Sequence, residues 1–326
     1  MALYLITGGG GFIGSALVRE LLRRGERVRV VDNFATGDRE NIVEVRDQID
    51  LREVDITDLA ALRPTFKDVD YVLHQAALRS VPRSIDNPLA SNETNINGTL
   101  NVLIAARDAG VKRLIYAGSS TAYGDSPTLP KVETMPTNPI SPYGVSKLAA
   151  QMYCEVFTRV YGLETVTLRY FSVFGPRADP GSPYSGVLAL FIKALLEDRR
   201  SIIYGDGEQS RDFTHVDNVV DANLLACTAP RVAGEVINVA TTARQTLNYA
   251  YDYLCRIIFG ESATTNGRRP IEPIYEPART GEILHSLADI SKARALLGFT
   301  PSVGFEEGLE KTVAWYRQNL GAAKAK

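Results

Sequence analysis

Thr7-Gly8-Gly9-Gly10-Gly11-Phe12-Ile13-Gly14 closes the apolar run Leu3 to Thr7 and opens a helical pattern over Phe12 to Arg24. Gly8, Gly11 and Gly14 stand at the turn between strand and helix. Without Cβ atoms the backbone turns tightly, and a pyrophosphate can approach the free amides at the helix N-terminus, where the dipole favours negative charge. Alone, such a run is also compatible with a plain glycine-rich turn. Asp32 supplies context, because it ends the second apolar run, Arg27 to Val31, where a carboxylate accepts hydrogen bonds from the adenosine ribose hydroxyls. An acid there repels a 2′-phosphate and favours NAD over NADP, with Arg29 and Arg39 close by in sequence. Asp55-Ile56, after the third strand, has the spacing of an adenine-contacting pair or of a surface loop.

Working outward, strand-like and helical stretches keep alternating. Apolar runs at Tyr71 to His74, Arg113 to Ala117 and Thr165 to Arg169 are separated by helical patterns at Pro88 to Ala109 and Tyr143 to Tyr161. Asn87 is the expected N-cap of the first of these helices and Pro88 its first residue. The alternation predicts βαβ units and an α/β fold with a doubly wound parallel sheet of the Rossmann type. After Phe174 the texture changes to loops rich in Pro, Gly and Arg. The expected division is therefore 1–174 for the dinucleotide domain, completed by about 213–241, and 175–326 for the remainder, a smaller C-terminal α/β substrate domain. Asp289 followed by Ile290 to Leu297 reads as a capped helix. Phe305 to Leu320, with the only tryptophan, Trp315, reads as an amphipathic terminal helix, and Ala322 to Lys326 as frayed.

The 326 residues carry 36 Lys plus Arg against 38 Asp plus Glu, a net charge of -2, which leaves no electrostatic argument for nucleic acid or an anionic membrane. Composition is that of a folded globular chain, with 45% hydrophobic and 23% charged residues, so disorder and fibrous repeats are excluded. Cys154, Cys227 and Cys255 are odd in number and far apart, and are expected to be reduced, buried thiols. There is no basic n-region and no apolar run of bilayer length, so a cytoplasmic location is expected. His74, His215 and His285 show no metal-ligand spacing, and no metal is expected.

Tyr143 and Lys147, four apart on one helix face, form the candidate catalytic pair. A Tyr beside an ammonium and a nicotinamide cation has its phenolate favoured; a drop of ~3 pKa units from about 10 corresponds to ~4 kcal/mol and makes it a general base at neutral pH. Ser119, Ser120 and Thr121 follow the strand Arg113 to Ala117, at the sheet edge where doubly wound folds bind ligands. A hydroxyl there can share a proton network with Tyr143.

With these elements in order the chain resembles the extended short-chain dehydrogenases/reductases, specifically the nucleotide-sugar 4-epimerases of the UDP-galactose 4-epimerase family. The resemblance runs through Thr7 to Gly14, Asp32-Asn33, His74-Gln75-Ala76-Ala77, Asn95-Ile96-Asn97-Gly98, Ser119-Ser120-Thr121, Tyr143-Gly144-Val145-Ser146-Lys147, Leu168-Arg169-Tyr170-Phe171 and Ser210-Arg211-Asp212-Phe213. It implies that Tyr143 is the base for the sugar 4-hydroxyl, that Lys147 binds the nicotinamide ribose and tunes Tyr143, and that Ser119 bonds the 4-oxygen. Tightly bound NAD would take and return the hydride. Cofactor contacts are implied at Gly8, Gly11, Phe12, Ile13, Gly14, Asp32, Asn33, Phe34, Thr36, Gly37, Asp55, Ile56, Gln75, Ala76, Ala77, Asn95, Ala117, Tyr143, Lys147, Tyr170 and Val173. Substrate contacts are implied at Arg79, Ser119, Ser120, Thr121, Tyr143, Ser172, Gly186, Val187, Tyr204, Arg211, Arg279, Glu282 and Ser286.

In that resemblance Arg211 and Arg279 hold the diphosphate. Tyr204 stacks on uracil or packs in the core. Ser286, small at the hexose gate, admits N-acetylated sugars. Dehydratases of the family carry Asp-Glu where this chain has Ser120 and Thr121, so epimerisation is the expected chemistry. Ser172 stands where the family usually has Asn, which leaves the sugar's exact seating open. The expected substrates are UDP-glucose and UDP-galactose, with UDP-N-acetylglucosamine and UDP-N-acetylgalactosamine. A UDP-uronic acid 4-epimerase, using Arg79 or Arg177 for the carboxylate, is the alternative, and a silent NAD-binding scaffold a third reading that the intact Ser119, Tyr143 and Lys147 disfavour. The resemblance also implies a homodimer through a four-helix bundle.

Overall fold

The computed structural model describes residues 1–179, 186–260, 269–278 and 283–323. Its strands, in chain order, are β1 (Leu3–Thr7), β2 (Arg27–Val31), β3 (Asp50–Arg52), β4 (Tyr71–His74), β5 (Arg113–Ser119), β6 (Thr165–Tyr170), β7 (Ser172–Phe174), β8 (Ile202–Tyr204), β9 (Ser210–His215), β10 (Val236–Val239), β11 (Arg244–Thr246) and β12 (Ile274–Glu276). Seven of them form one parallel sheet in the order β3-β2-β1-β4-β5-β6-β10. The strand order reverses between β1 and β4, and the carboxyl ends of these strands form the crevice where doubly wound sheets bind ligands.

The central strands read as unbroken apolar runs because both their faces are covered. On one face Ile6, Val30, Leu73, Ile115 and Leu168 pack with helices Phe12–Arg23, Val216–Thr228 and Ser291–Leu297. On the other, Leu5, Val31, Val72, Leu114 and Tyr116 pack with helices Thr99–Asp108 and Pro142–Tyr161. This period-two division along each strand is the pleat expressed as two cores. A third core, built on Phe191, Tyr251, Leu254, Leu309 and Tyr316, joins helices Val187–Leu196, Leu247–Phe259 and Phe305–Ala323. Beside it lie a three-stranded sheet, β11-β9-β7, and a parallel pair, β12-β8.

Several elements differ from the sequence expectation. Strand β5 runs on to Ser119 and β6 to Tyr170, because the two pair residue for residue as far as Ser119↔Tyr170. The helix expected over Pro88 to Ala109 is capped as anticipated, Asn87 Oδ1 accepting from Ala90 N at 3.1 Å. It widens, however, into a π-turn over Glu93–Gly98 before resuming at Thr99. A further short helix, Val81–Asp86, was not anticipated; Ser80, with φ 116°, caps it. Helix Ser291–Leu297 starts with Ile290 in the cap position, and Asp289 instead closes the turn ahead of it, accepting from Ser291 N at 2.7 Å. All three cysteines are free and buried. Among the described residues no helix is long and apolar enough to cross a membrane.

Candidate active site

A cleft of about 570 Å³ opens at the carboxyl ends of β1, β2, β4 and β5. Its floor is the glycine turn. Gly8 has φ +73°, and a Cβ there would stand 2.7 Å from Ala76 N; one on Gly14 would collide with the carbonyl of Gly8. The backbone therefore approaches as closely as only glycine permits, and the amides at the start of helix Phe12–Arg23 face the cleft. Asp32 follows β2 beside this turn, 8% exposed, with Oδ2 accepting from Gly10 N and Oδ1 from Phe34 N, both at 2.8 Å. Burial lifts its pKa, and those two amides, with the nearby Arg39 charge, oppose the rise. Its remaining lone pairs can still accept hydroxyls. Arg29 is taken up by Asp50 and two carbonyls, and Arg39 by Glu53, so neither guanidinium lines the cleft to receive a 2′-phosphate. This cradle and its acid fit an adenine dinucleotide without a 2′-phosphate.

Of the implied cofactor residues, Gly8, Gly11, Phe12, Ile13, Gly14, Asp32, Asn33, Thr36, Gly37, Asp55, Ile56, Gln75, Ala76, Ala77, Ala117, Tyr143, Lys147 and Tyr170 line this cleft. Phe34, Asn95 and Val173 do not. Phe34 lies under the Arg39 guanidinium at 4.1 Å, Val173 packs against the sheet core, and Asn95 acts from behind the wall.

The role of Asn95 is part of a buried chain of hydrogen bonds. Thr99 Oγ1 donates to Asn95 O at 2.7 Å, so its oxygen takes the His74 Nε2 proton at 2.9 Å. His74 Nδ1 is then left to accept from Thr7 Oγ1 at 2.6 Å, and Ala76 N in turn donates to Thr7 Oγ1. The pattern assigns a neutral His74, and burial together with the Lys147 charge pulls its pKa down to about 3. Asn95 continues the chain: its Oδ1 accepts from Leu78 N, and its Nδ2 donates to Leu78 O and Ser146 Oγ. Ser146 Oγ donates to the carbonyl of Tyr143 at 2.9 Å. One run of contacts thus ties the glycine turn to the helix that carries Tyr143 and Lys147, with the π-turn holding Asn95 between them.

Ser141 caps that helix, its Oγ accepting from Gly144 N, and Tyr143 and Lys147 fall in its first two turns. Lys147 is buried, its Nζ 4.4 Å from the centre of the Tyr116 ring, and burial lowers its pKa to about 7. Burial raises the Tyr143 phenol, while a hydrogen bond with Ser119 and the charge of Arg79 pull it down. The drop anticipated from the sequence thus needs positive charge beyond what the protein sets against this phenol, and a nicotinamide cation is such a charge. Ser119 Oγ accepts from Thr121 Oγ1 at 2.8 Å and from Thr121 N at 3.2 Å, which directs its own proton towards Tyr143.

The implied substrate residues are more scattered. Arg79 and Tyr143 line the cleft; Ser119, Ser120, Thr121, Ser172, Gly186, Val187, Tyr204, Arg211 and Ser286 do not. Ser172 opens β7 and Tyr204 closes β8, while Gly186 precedes the helix begun by Val187. Arg211 donates to the carbonyls of Ser210 and Leu284. Ser286 is 8% exposed and its hydroxyl accepts from Asp212 N. Arg279 and Glu282 lie outside the described residues. Asp212 itself is fully buried and accepts from Thr241 N, Thr241 Oγ1, Thr242 N and Ala288 N, pinning three segments together around β9.

Sequence reading missed Asn223. Fully buried on helix Val216–Thr228, it donates to Tyr170 OH at 2.8 Å and accepts from Gln75 Nε2, so it backs two residues of the cleft wall. A lone amide among Val219, Val220, Ala222, Leu224 and Ala226 was the signal available. Asp38, Asn41, Arg83 and Asp179 also line the cleft without having been anticipated.

A family profile described as the NAD dependent epimerase/dehydratase family matches residues 4–240. A UDP-glucose 4-epimerase of Mycolicibacterium smegmatis is 36% identical over 318 residues, covering 96% of this chain and 98% of the relative. The solved UDP-glucose 4-epimerase of Thermotoga maritima, with UDP-glucose, superimposes with a TM-score of 0.91 at 38% identity over 98% of this chain and 99% of that one. A UDP-N-acetylglucosamine 4-epimerase of Methanobrevibacter ruminantium, in complex with UDP-N-acetylmuramic acid, gives 0.90 at 38% identity over 97% and 98%.

Proposed function

The chain belongs to the NAD-dependent epimerase/dehydratase family, and from that premise we propose that it inverts C4 of UDP-sugars, taking both the glucose/galactose and the N-acetylglucosamine/N-acetylgalactosamine pairs. The observation that carries the reading is that Tyr143, hydrogen-bonded to Ser119 behind it, and Lys147 both line the cleft that holds the glycine turn and Asp32. When bound there, NAD supplies a reversible hydride sink for C4. Tyr143 takes the 4-hydroxyl proton and later returns it to the 4-oxygen, now on the opposite face of the sugar. Lys147 would hold the nicotinamide ribose and, in its ionised form, favour the Tyr143 phenolate. Ser119 feeds its proton towards that oxygen, with Thr121 donating behind it. Because Ser120 and Thr121 are hydroxyls, no carboxylate follows Ser119 to drive elimination. Residues 1–174, with the return segment at about 213–241, hold the cofactor; the remainder holds the nucleotide sugar.

A second copy of the chain is the proposed partner. Val145, Met152, Val156 and Val160 form one exposed stripe along helix Pro142–Tyr161, and Leu89, 82% exposed, adds to it from helix Pro88–Asn92. Sedimentation at micromolar concentration tests this, and a monomer throughout would refute it.

Activity is tested by incubating purified protein with UDP-glucose, UDP-N-acetylglucosamine and UDP-glucuronate separately, without added NAD, and following C4 inversion by proton NMR. Inversion of the first two supports the proposal. Inversion of UDP-glucose alone removes the argument from Ser286, and inversion of UDP-glucuronate alone transfers the function to the uronates through Arg79. No inversion even with added NAD would leave only a silent scaffold.

A further inference from the structure

The segment Arg177 to Asp179, which follows β7, borders the cofactor cleft. Arg177 and Asp179 both line that cleft, together with Gly11, Phe12 and Asn41. Arg177 is held at φ 68°, a left-handed conformation costly for a residue with a side chain, so its surroundings over-determine it.

Two sets of contacts do so. On the dinucleotide side, Arg177 Nη2 donates to Glu44 Oε2 at 2.8 Å, and Arg19 approaches the same oxygen at 4.0 Å. Arg19 also donates to Ser15 O and Asn41 O, while Asn41 Nδ2 donates to Gly10 O at 2.9 Å. Asp38 N donates to that carbonyl too. The loop bearing Glu44 is thereby fastened to the glycine turn. On the other side, the Arg177 guanidinium lies 5.6 Å from the Trp315 ring centre, and Tyr316 OH donates to Ala178 O. The segment is clamped between the stretch bearing Glu44 and the terminal helix.

We infer that Arg177 and Glu44 are a latch that holds this segment at the border of the cofactor cleft, making them positioning residues for retention of the dinucleotide. A diphosphate resting on the amides of the glycine turn would lie beside this segment, and its exit would require the Arg177–Glu44 contact to open. An epimerase that regenerates its cofactor in every cycle has use for such a closure, since release of the reduced form between the two hydride transfers would strand the keto sugar. The inference rests on the reading that this cleft holds NAD.

The test uses the whole chain loaded with NAD. Holoenzyme is diluted into buffer containing an NAD glycohydrolase, which destroys released cofactor, and NAD still bound is acid-extracted and quantified over time. Glu44→Gln, at an exposed position where folding is not at issue, is expected to release NAD about two- to fivefold faster, the range of a partly exposed ion pair. Arg177→Gln, which also loses the Trp315 contact, is expected to release it about tenfold faster. The double variant should be no faster than Arg177→Gln alone, because both changes open one latch. Release at the wild-type rate in both single variants, or a double variant whose effect is their product, overturns the latch while leaving the cofactor reading intact. A wild-type chain that binds no NAD overturns both.

Discussion

Acidification should expose His74 as a conditional weak point. The ring is buried and neutral, with both nitrogens committed to Thr99 and Thr7, and its pKa is pulled to about 3. In the unfolded chain the value returns to about 6.5. Between these values the unfolded state binds the extra proton, so stability attributable to this ring is present above pH 6.5 and is lost as pH falls. Integrating the linkage from pH 7 to pH 5 with those two values gives a loss of about 2 kcal/mol from this one group. The perturbation that isolates it is His74→Gln, which keeps a donor for Thr99, cannot titrate, and leaves Thr7 short of an acceptor. That variant should be ~1–3 kcal/mol less stable than wild type at pH 7. Urea unfolding of both NAD-free proteins at several pH values provides the assay, and all other titrating groups cancel in the comparison. The wild-type advantage should shrink by about 2 kcal/mol on going to pH 5. Stability curves that stay parallel across that range would refute the assignment of a neutral, hydrogen-bonded His74.

Three further outcomes are expected. Tyr143→Phe should lower kcat for C4 inversion by about 10²–10⁴ while the protein keeps its extractable NAD, separating proton transfer from cofactor binding. Gly14→Ala places a methyl against the carbonyl of Gly8, and a distortion of ~1–3 kcal/mol should weaken NAD binding roughly 10- to 100-fold by calorimetry, with the far-UV circular dichroism retained. Asn223→Leu removes the amide that Tyr170 OH and Gln75 share and leaves these two their mutual contact at 3.2 Å, so thermal unfolding should show a loss of ~1 kcal/mol; no loss would mean that the mutual contact suffices.

The cofactor half was legible because its signals are local. Strand runs such as Leu3 to Thr7 are continuous where both sheet faces are covered, and the glycines lie within eight residues of one another. The spacing of Tyr143 and Lys147 is likewise a property of one helix. What escaped notice depends on partners far away in the chain. The π-turn at Glu93–Gly98 accompanies the bonds of Asn95 to Leu78 and Ser146. Asn223 matters only because β6 brings Tyr170 against it, and Arg177 only because Glu44 and Trp315 converge on it. Short strands such as β8 and β12, three residues each, carry too little pattern to be recognised before they pair. Ser119 fell within reach of sequence reasoning, but its coupling to Thr121 is a matter of side-chain rotamers.

The seventh strand of the main sheet bears on how this chain is made. Strand β10 pairs with β6 on the far edge, yet it is synthesised only after β7, β8, β9 and the helices Val187–Leu196 and Val216–Thr228 have been added. At 5–20 residues per second, a nascent chain on the ribosome carries β6 as an open edge for several seconds. The backbone groups of Thr167, Leu168 and Arg169 are then free to pair with any passing strand. Conditions that stall translation between Tyr170 and Val236 should therefore favour aggregation of this protein more than stalling beyond Val239, once the edge has been closed.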